Sequence, residues 1–183
     1  MNTLAEPRFD DKVLEEYVVD TLGLPYPIVV RGAVVERRDR ASGEVLGHRI
    51  PDLDGLIAAV AVMRALVPVR LSGPELRFMR KATALGSAEF AEAVGLNPSS
   101  YSRYENDKDE MGGFVEQIVR EKICEELKDQ APAIDYEPKK IIGMRMLREW
   151  EGEPRFIFER ITFKDGSTRQ KSCEWDAELP LAA

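Results

Sequence analysis

The sequence predicts an α+β protein in three parts: a small α+β unit over residues 1–69, an all-α bundle of short helices over 70–130, and an antiparallel β extension over 131–183. Three observations predict it. Short apolar runs broken by turn formers fill residues 13–50, which is the pattern of strands and hairpins. From Leu53 to Leu66 apolar residues recur at steps of three and four, as a helix face requires. Helix-start signals then succeed one another from Ser72 to Asn97, and an Asp165-Gly166 pair separates two strand-like runs near the C-terminus.

The first unit opens with Tyr26-Pro27-Ile28-Val29-Val30 and Ala33-Val34-Val35, then a polar stretch containing Ser42-Gly43, then Val45-Leu46. Pro51-Asp52 starts a helix whose buried face is expected to carry Leu53, Leu56, Ile57, Val60, Met63 and Leu66, and Pro68 ends it. In the second unit Ser72 and Glu75 fit a capping box, with Leu71 and Leu76 as its hydrophobic staple, so a helix is expected from Ser72 to about Thr83. A second, barely two turns long, begins at Gly86-Ser87 with Glu89 in its first turn, and Gly95 suits a left-handed C-cap. Asn97-Pro98 supplies an N-cap and a first-turn proline for a third, whose inner side is Tyr101 and Tyr104. In the third unit residues 141–150, 155–163 and 168–175 read as strands.

Composition narrows the class. With 44% hydrophobic and 32% charged residues, the 183-residue chain has enough apolar side chains for a core without disulfides or metal. No apolar run approaches the roughly 18 residues of a membrane span, and MNTLAEPRFDDK carries acidic residues where a signal peptide would be apolar, so a cytoplasmic protein without membrane association is expected. Cys124, Cys173 and the single histidine, His48, are too few for a structural zinc site, and two free thiols are expected in a reducing compartment. The net charge of −7 is segregated: residues 105–137 hold eleven acidic and four basic residues, residues 139–171 nine basic and five acidic. The total therefore says little about any one face.

Two short helices separated by Gly95-Leu96-Asn97 make a helix-turn-helix, a motif whose second helix docks in the DNA major groove. With Tyr101 and Tyr104 turned inward, Ser99, Ser100, Ser102, Arg103 and Asn106 remain on or beside the outer face. These are short donors and acceptors plus one guanidinium, a set suited to base edges and phosphates, with Arg103 able to grip guanine with two hydrogen bonds.

The stretch LSGPELRFMRKATALGSAEFAEAVGLNPSSYSRYEND resembles the DNA-binding domain of the Xre family, which includes the Cro-type phage repressors, over about residues 71–127. Ala91, Gly95, Ser102-Arg103 and Glu105-Asn106 fall at the family's positions without a gap. The resemblance implies a lambda-repressor-like helical domain, a recognition helix over 97–106 with Asn97, Ser99, Ser102 and Arg103 as contacts, and Lys108 on the DNA backbone. It also implies departures: Ser87 stands where the family has a glutamine that reaches a phosphate and the recognition helix, and Pro98 occupies a base-reading position. Gly23-Leu24-Pro25, the strands after it, the 52–66 helix and the junction into Leu71-Ser72-Gly73 are similar to the MqsA-type antitoxins, whose first domain is often a zinc ribbon. Its zinc cysteines are missing here. These resemblances imply a non-enzymatic transcriptional regulator, a repressor binding double-stranded DNA as a homodimer at a palindromic operator; the alternative is an antitoxin that neutralises a toxin protein and regulates its own operon.

Other residues of types able to carry chemistry have simpler readings. His48 lacks a nucleophile motif beside it. Asp52 is explained as the N-cap of the helix it precedes, which leaves Asp54 without a catalytic partner. Arg37, Arg38 and Arg40 form a solvated hairpin tip, and no phosphate-binding glycine loop or other cofactor motif is present.

Overall fold

The computed structural model describes residues 8–164 and 171–178. Its elements run β1 (Phe9–Val13), β2 (Glu16–Val19), β3 (Ile28–Arg31), β4 (Val35–Asp39), β5 (Val45–Arg49), α1 (Leu53–Leu66), α2 (Gly73–Ala82), α3 (Ser87–Ala93), α4 (Pro98–Glu105), α5 (Gly113–Leu127), α6 (Pro138–Ile142), β6 (Ile157–Lys164) and β7 (Lys171–Glu178). The molecule is thus mixed α+β. Strands β1, β4 and β5 form an antiparallel three-stranded sheet in that spatial order, and a second sheet has the order β2-β3-β6-β7.

The second sheet corrects the expectation of a separate C-terminal sheet. Strand β6 pairs parallel with β3, placing Val29 opposite Ile157 and Val30 opposite Phe158, so the C-terminal hairpin extends a sheet begun in the first unit. The reason is burial. Ile28, Val29 and Val30 are all buried, and a strand covered on both faces needs neighbours at both edges to satisfy its backbone. The strand expected over 141–150 is corrected too: the chain forms the short helix α6 and then a single parallel bridge from Leu147 to Val69. Pro138 at the first helical position favours that turn. The expected Asp165-Gly166 turn lies outside the described residues.

Helix α1 has its expected bounds but a different environment. Ala58, Ala59, Ala61, Val62, Arg64 and Ala65 are buried along with Leu56, Val60 and Met63, whereas Leu53 is exposed. It packs against α5 and α2 and against β7, where the buried Trp175 donates from Nε1 to the Asp52 carbonyl at 3.0 Å. A helix contacted on several sides needs small apolar residues all round, and its alanines provide them. Asp52 caps it as expected, accepting from the Gly55 N–H at 3.2 Å.

The carbonyls at the C-terminal end of α1 and in the chain after it meet two buried arginines. Arg64 donates to the carbonyls of Val67, Val69 and Arg70 and to both carboxylate oxygens of Glu75. Arg120, from α5, donates to the carbonyls of Arg64, Ala65, Val67 and Val69 and to Glu116. Glu116 in turn accepts from the Leu71 N–H at 3.0 Å, and Glu75 from the Tyr26 hydroxyl at 2.7 Å. Helix ends leave carbonyls without partners, and here fixed guanidinium forks fill that need while tying α1 to α2 and α5.

Candidate nucleic-acid interface

Helices α2, α3 and α4 begin at the expected residues. Glu75 accepts from the Ser72 N–H at 2.8 Å and from the Ser72 hydroxyl at 2.9 Å, so the reciprocal contact is carried mainly by the carboxylate. At the end of α3, Gly95 takes φ +71, and the Leu96 N–H reaches the Ala91 carbonyl at 2.8 Å. That six-to-one bond closes the helix and turns the chain sharply into α4. Asn97 accepts from the Ser99 N–H at 2.9 Å and the Ser99 hydroxyl at 2.7 Å, capping α4.

The inner side of α4 is fixed by packing and by one buried ion pair. Tyr101 is buried against Phe90, their ring centroids 5.3 Å apart, and Tyr104 is half-buried. Arg80 of α2 donates from Nε to Glu105 at 2.6 Å and from a terminal nitrogen to the Leu85 carbonyl at 2.8 Å. Ser87 donates to the same carboxylate at 3.2 Å, so it does reach α4. Gly73 permits the closest approach, because a Cβ there would lie 2.6 Å from the Glu105 carbonyl oxygen. Its N–H is held by the Asp107 carboxylate.

The residues singled out in the sequence separate into two groups. Asn97, Ser99, Ser102, Arg103, Asn106 and Lys108 are exposed; Ser87 and Ser100 are half-buried. Several already have local tasks. Asn106 donates to the Ser102 carbonyl at 2.6 Å and accepts from Arg77 at 2.9 Å, closing the end of α4. Arg103 grips Asp109 with two hydrogen bonds, one of 3.0 Å between Nη2 and Oδ1. This contact holds the Asp109 carboxyl below its ordinary range and raises the Arg103 guanidinium. Lys108 extends beyond α4, its N–H bonded to the Arg103 carbonyl at 2.9 Å.

Four site-defining residues escaped the sequence reading: Arg77, Arg80, Asp107 and Asp109. A signal existed only for Arg80, through its partner Glu105, which stands one turn after Tyr101 on the inner side of α4. The surface around α3 and α4 is not cationic: residues 84–110 contain six acidic residues, Glu89, Glu92, Glu105, Asp107, Asp109 and Glu110, against Arg103 and Lys108.

His48 packs against Tyr17, the rings tilted and their centroids 4.6 Å apart, and lies 3.4 Å from Glu36. Arg37 and Arg38 are engaged by Asp11 and Glu36. Burial pushes the Cys124 thiol up to about 12, leaving it almost entirely protonated at neutral pH. Among the described residues no group of three or more His, Cys, Asp or Glu could hold a metal ion, and no helix is long and apolar enough to cross a membrane.

No family model, curated protein or solved structure matches the chain.

Proposed function

We propose that the chain is a sequence-specific DNA-binding regulator in which α3 and α4 act as a helix-turn-helix and α4 enters the major groove. The observation that carries this reading is the division of labour on α4. Its inner side is immobilised by Tyr101 and the Arg80–Glu105 pair, while Ser99, Ser102 and Arg103 are held outward on a two-turn helix. Rigid display of short polar groups and one guanidinium is what reading base edges requires.

The mechanism has two steps. Lys108 and the N-terminal end of α4 meet phosphates and set the register. Arg103 then exchanges Asp109 for a guanine edge, so an intramolecular bidentate contact gives way to an intermolecular one. With so few cations, each protomer binds weakly, and a dimer spanning two half-sites supplies the missing affinity.

Selection from random duplex DNA tests the proposal. The expected product is an inverted repeat with half-sites about 10 bp apart, centre to centre. Recovery of no enriched sequence by the folded protein refutes it.

A further inference from the structure

We infer that β1 is a self-recognition edge: two copies of the chain join β1 to β1 antiparallel about Asp11, fusing their three-stranded sheets into one of six strands. Among the described residues strand β1 pairs only with β4, and all five of its residues are exposed. The ladder is flanked by bonds from the Leu14 N–H to the Val34 carbonyl at 2.9 Å and from the Arg40 N–H to the Arg8 carbonyl at 3.1 Å. Backbone groups alternate along an antiparallel pair. Asp10 and Lys12 therefore turn theirs towards β4, and Phe9, Asp11 and Val13 turn theirs to the free edge.

A two-fold axis at Asp11 matches this parity. It sets Phe9 against Val13 of the second copy and Asp11 against its own equivalent, so outward groups meet only outward groups. Side-chain charges agree with the same register. Asp10 falls opposite Lys12 of the second copy, twice, whereas an axis at residue 10 or 12 loses both of these pairs and sets Asp10 or Lys12 against its own equivalent. Asp11 at the axis is already matched within its own chain by two 2.8 Å hydrogen bonds from Arg37. Phe9 and Val13, 43% and 55% exposed, become cross-strand neighbours. The sheet's other edge, β5, is less suited, because its pairing with β4 shifts register between Arg37 and Arg38. Such a bulge disrupts further strand addition.

This inference stands on the strand's own backbone and charges, and it supplies the dimer that the regulator reading needs. Sedimentation of the full chain without DNA tests it apart from that reading. The expected species has twice the 20.6 kDa chain mass. Val13→Pro removes an outward N–H while leaving the β4 ladder intact, and should raise the dimer dissociation constant at least about tenfold with unchanged circular dichroism. In a Cys173→Ser background, Asp11→Cys should form an interchain disulfide under mild oxidant at least about tenfold faster than Asp10→Cys or Lys12→Cys, whose equivalents are offset along the strands. A wild type that is monomeric at about 100 μM, a Val13→Pro dimer as tight as wild type, or equal cross-linking at all three positions overturns the assignment.

Discussion

Replacing Arg120 by Met removes the guanidinium that braces the end of α1, and the consequences can be followed atom by atom. Arg120 and Glu116 are both buried, with their side chains 2.7 Å apart. Burial, with Arg64 nearby, lowers the guanidinium to about 10, so it is still charged at neutral pH. After substitution the Val67 and Val69 carbonyls keep Arg64, and the Arg64 carbonyl keeps the Val67 N–H. The Ala65 carbonyl loses its Arg120 donor, and Glu116 retains only the Leu71 N–H. Stranding one member of a buried ion pair costs about 3–5 kcal/mol, and an unpaired buried carbonyl about 1–3 kcal/mol. Because the two losses overlap and methionine restores some apolar packing, a destabilisation of about 4 kcal/mol is expected. That is a large fraction of a typical domain's stability of about 5–15 kcal/mol. Urea unfolding followed by circular dichroism measures it. Glu116→Gln in the same chain should recover about 2 kcal/mol, since the orphaned charge is then gone. A loss below about 1 kcal/mol for Arg120→Met refutes the argument that these contacts hold the junction.

Four further outcomes are expected. Burial pushes the Glu75 carboxyl up, but hydrogen bonds and charge from Arg64, with the Ser72 N–H and the Tyr26 hydroxyl, outweigh it and leave the group below its ordinary range. Its stabilisation is therefore complete above the ordinary carboxylate range and lost as pH falls through the folded value, so melting temperature should fall more steeply between roughly pH 5 and 3 in wild type than in Glu75→Gln; parallel curves would contradict this. Arg103→Ala should weaken binding to the selected DNA about 10- to 100-fold and relax one base per half-site, while Asp109→Asn, by releasing Arg103 and removing a negative charge, should strengthen it severalfold in fluorescence anisotropy. The Tyr101 hydroxyl is buried with no hydrogen-bond partner among the described residues, so Tyr101→Phe should be neutral or stabilising by about 1 kcal/mol in thermal unfolding, and a clear loss would reveal a partner. In a Cys173→Ser background Cys124 should resist an aromatic disulfide reagent until denaturant is added; rapid labelling of the folded protein would contradict its burial.

The features legible in the sequence were local ones. Capping residues placed α2, α3 and α4, because Ser72, Gly86, Gly95 and Asn97 act through bonds that span a few residues. Periodicity found α1 but assigned it one buried face, since a stretch of alanine and valine is read the same way whether its neighbours cover one side or several. The Arg64–Glu75 and Arg120–Glu116 pairs were illegible for another reason. A charged residue on a helix is ordinarily solvated, and only the three-dimensional route of the chain from Arg64 to Leu71 reveals the carbonyls that recruit the guanidiniums. The outer face of α4 was named residue by residue, yet the sequence could not show that Asn106 is spent on the helix end or that Asp109 holds Arg103.

The parallel pairing of β3 with β6 changes how the helical segment is to be understood. Residues 73–127 lie in sequence between two strands of one sheet, so α2 to α5 are an insertion into a continuous sheet-and-helix body. Both ends of that insertion return to the same place: Arg64 joins the end of α1 to Glu75 at the start of α2, and Arg120 joins it to α5. The helices cannot pivot on a flexible linker, because the connecting residues 67–71 have their carbonyls and an N–H taken by these buried side chains. The β1 edge belongs to the other sheet, which meets this body where His48 of β5 packs against Tyr17 of β2 with ring centroids 4.6 Å apart, so a dimer formed there would set the separation of its two copies of α4 through that junction. Half-site spacing then becomes a property of the β1 edge, and a Val13→Pro protein that still binds single half-sites should lose its preference for spacing.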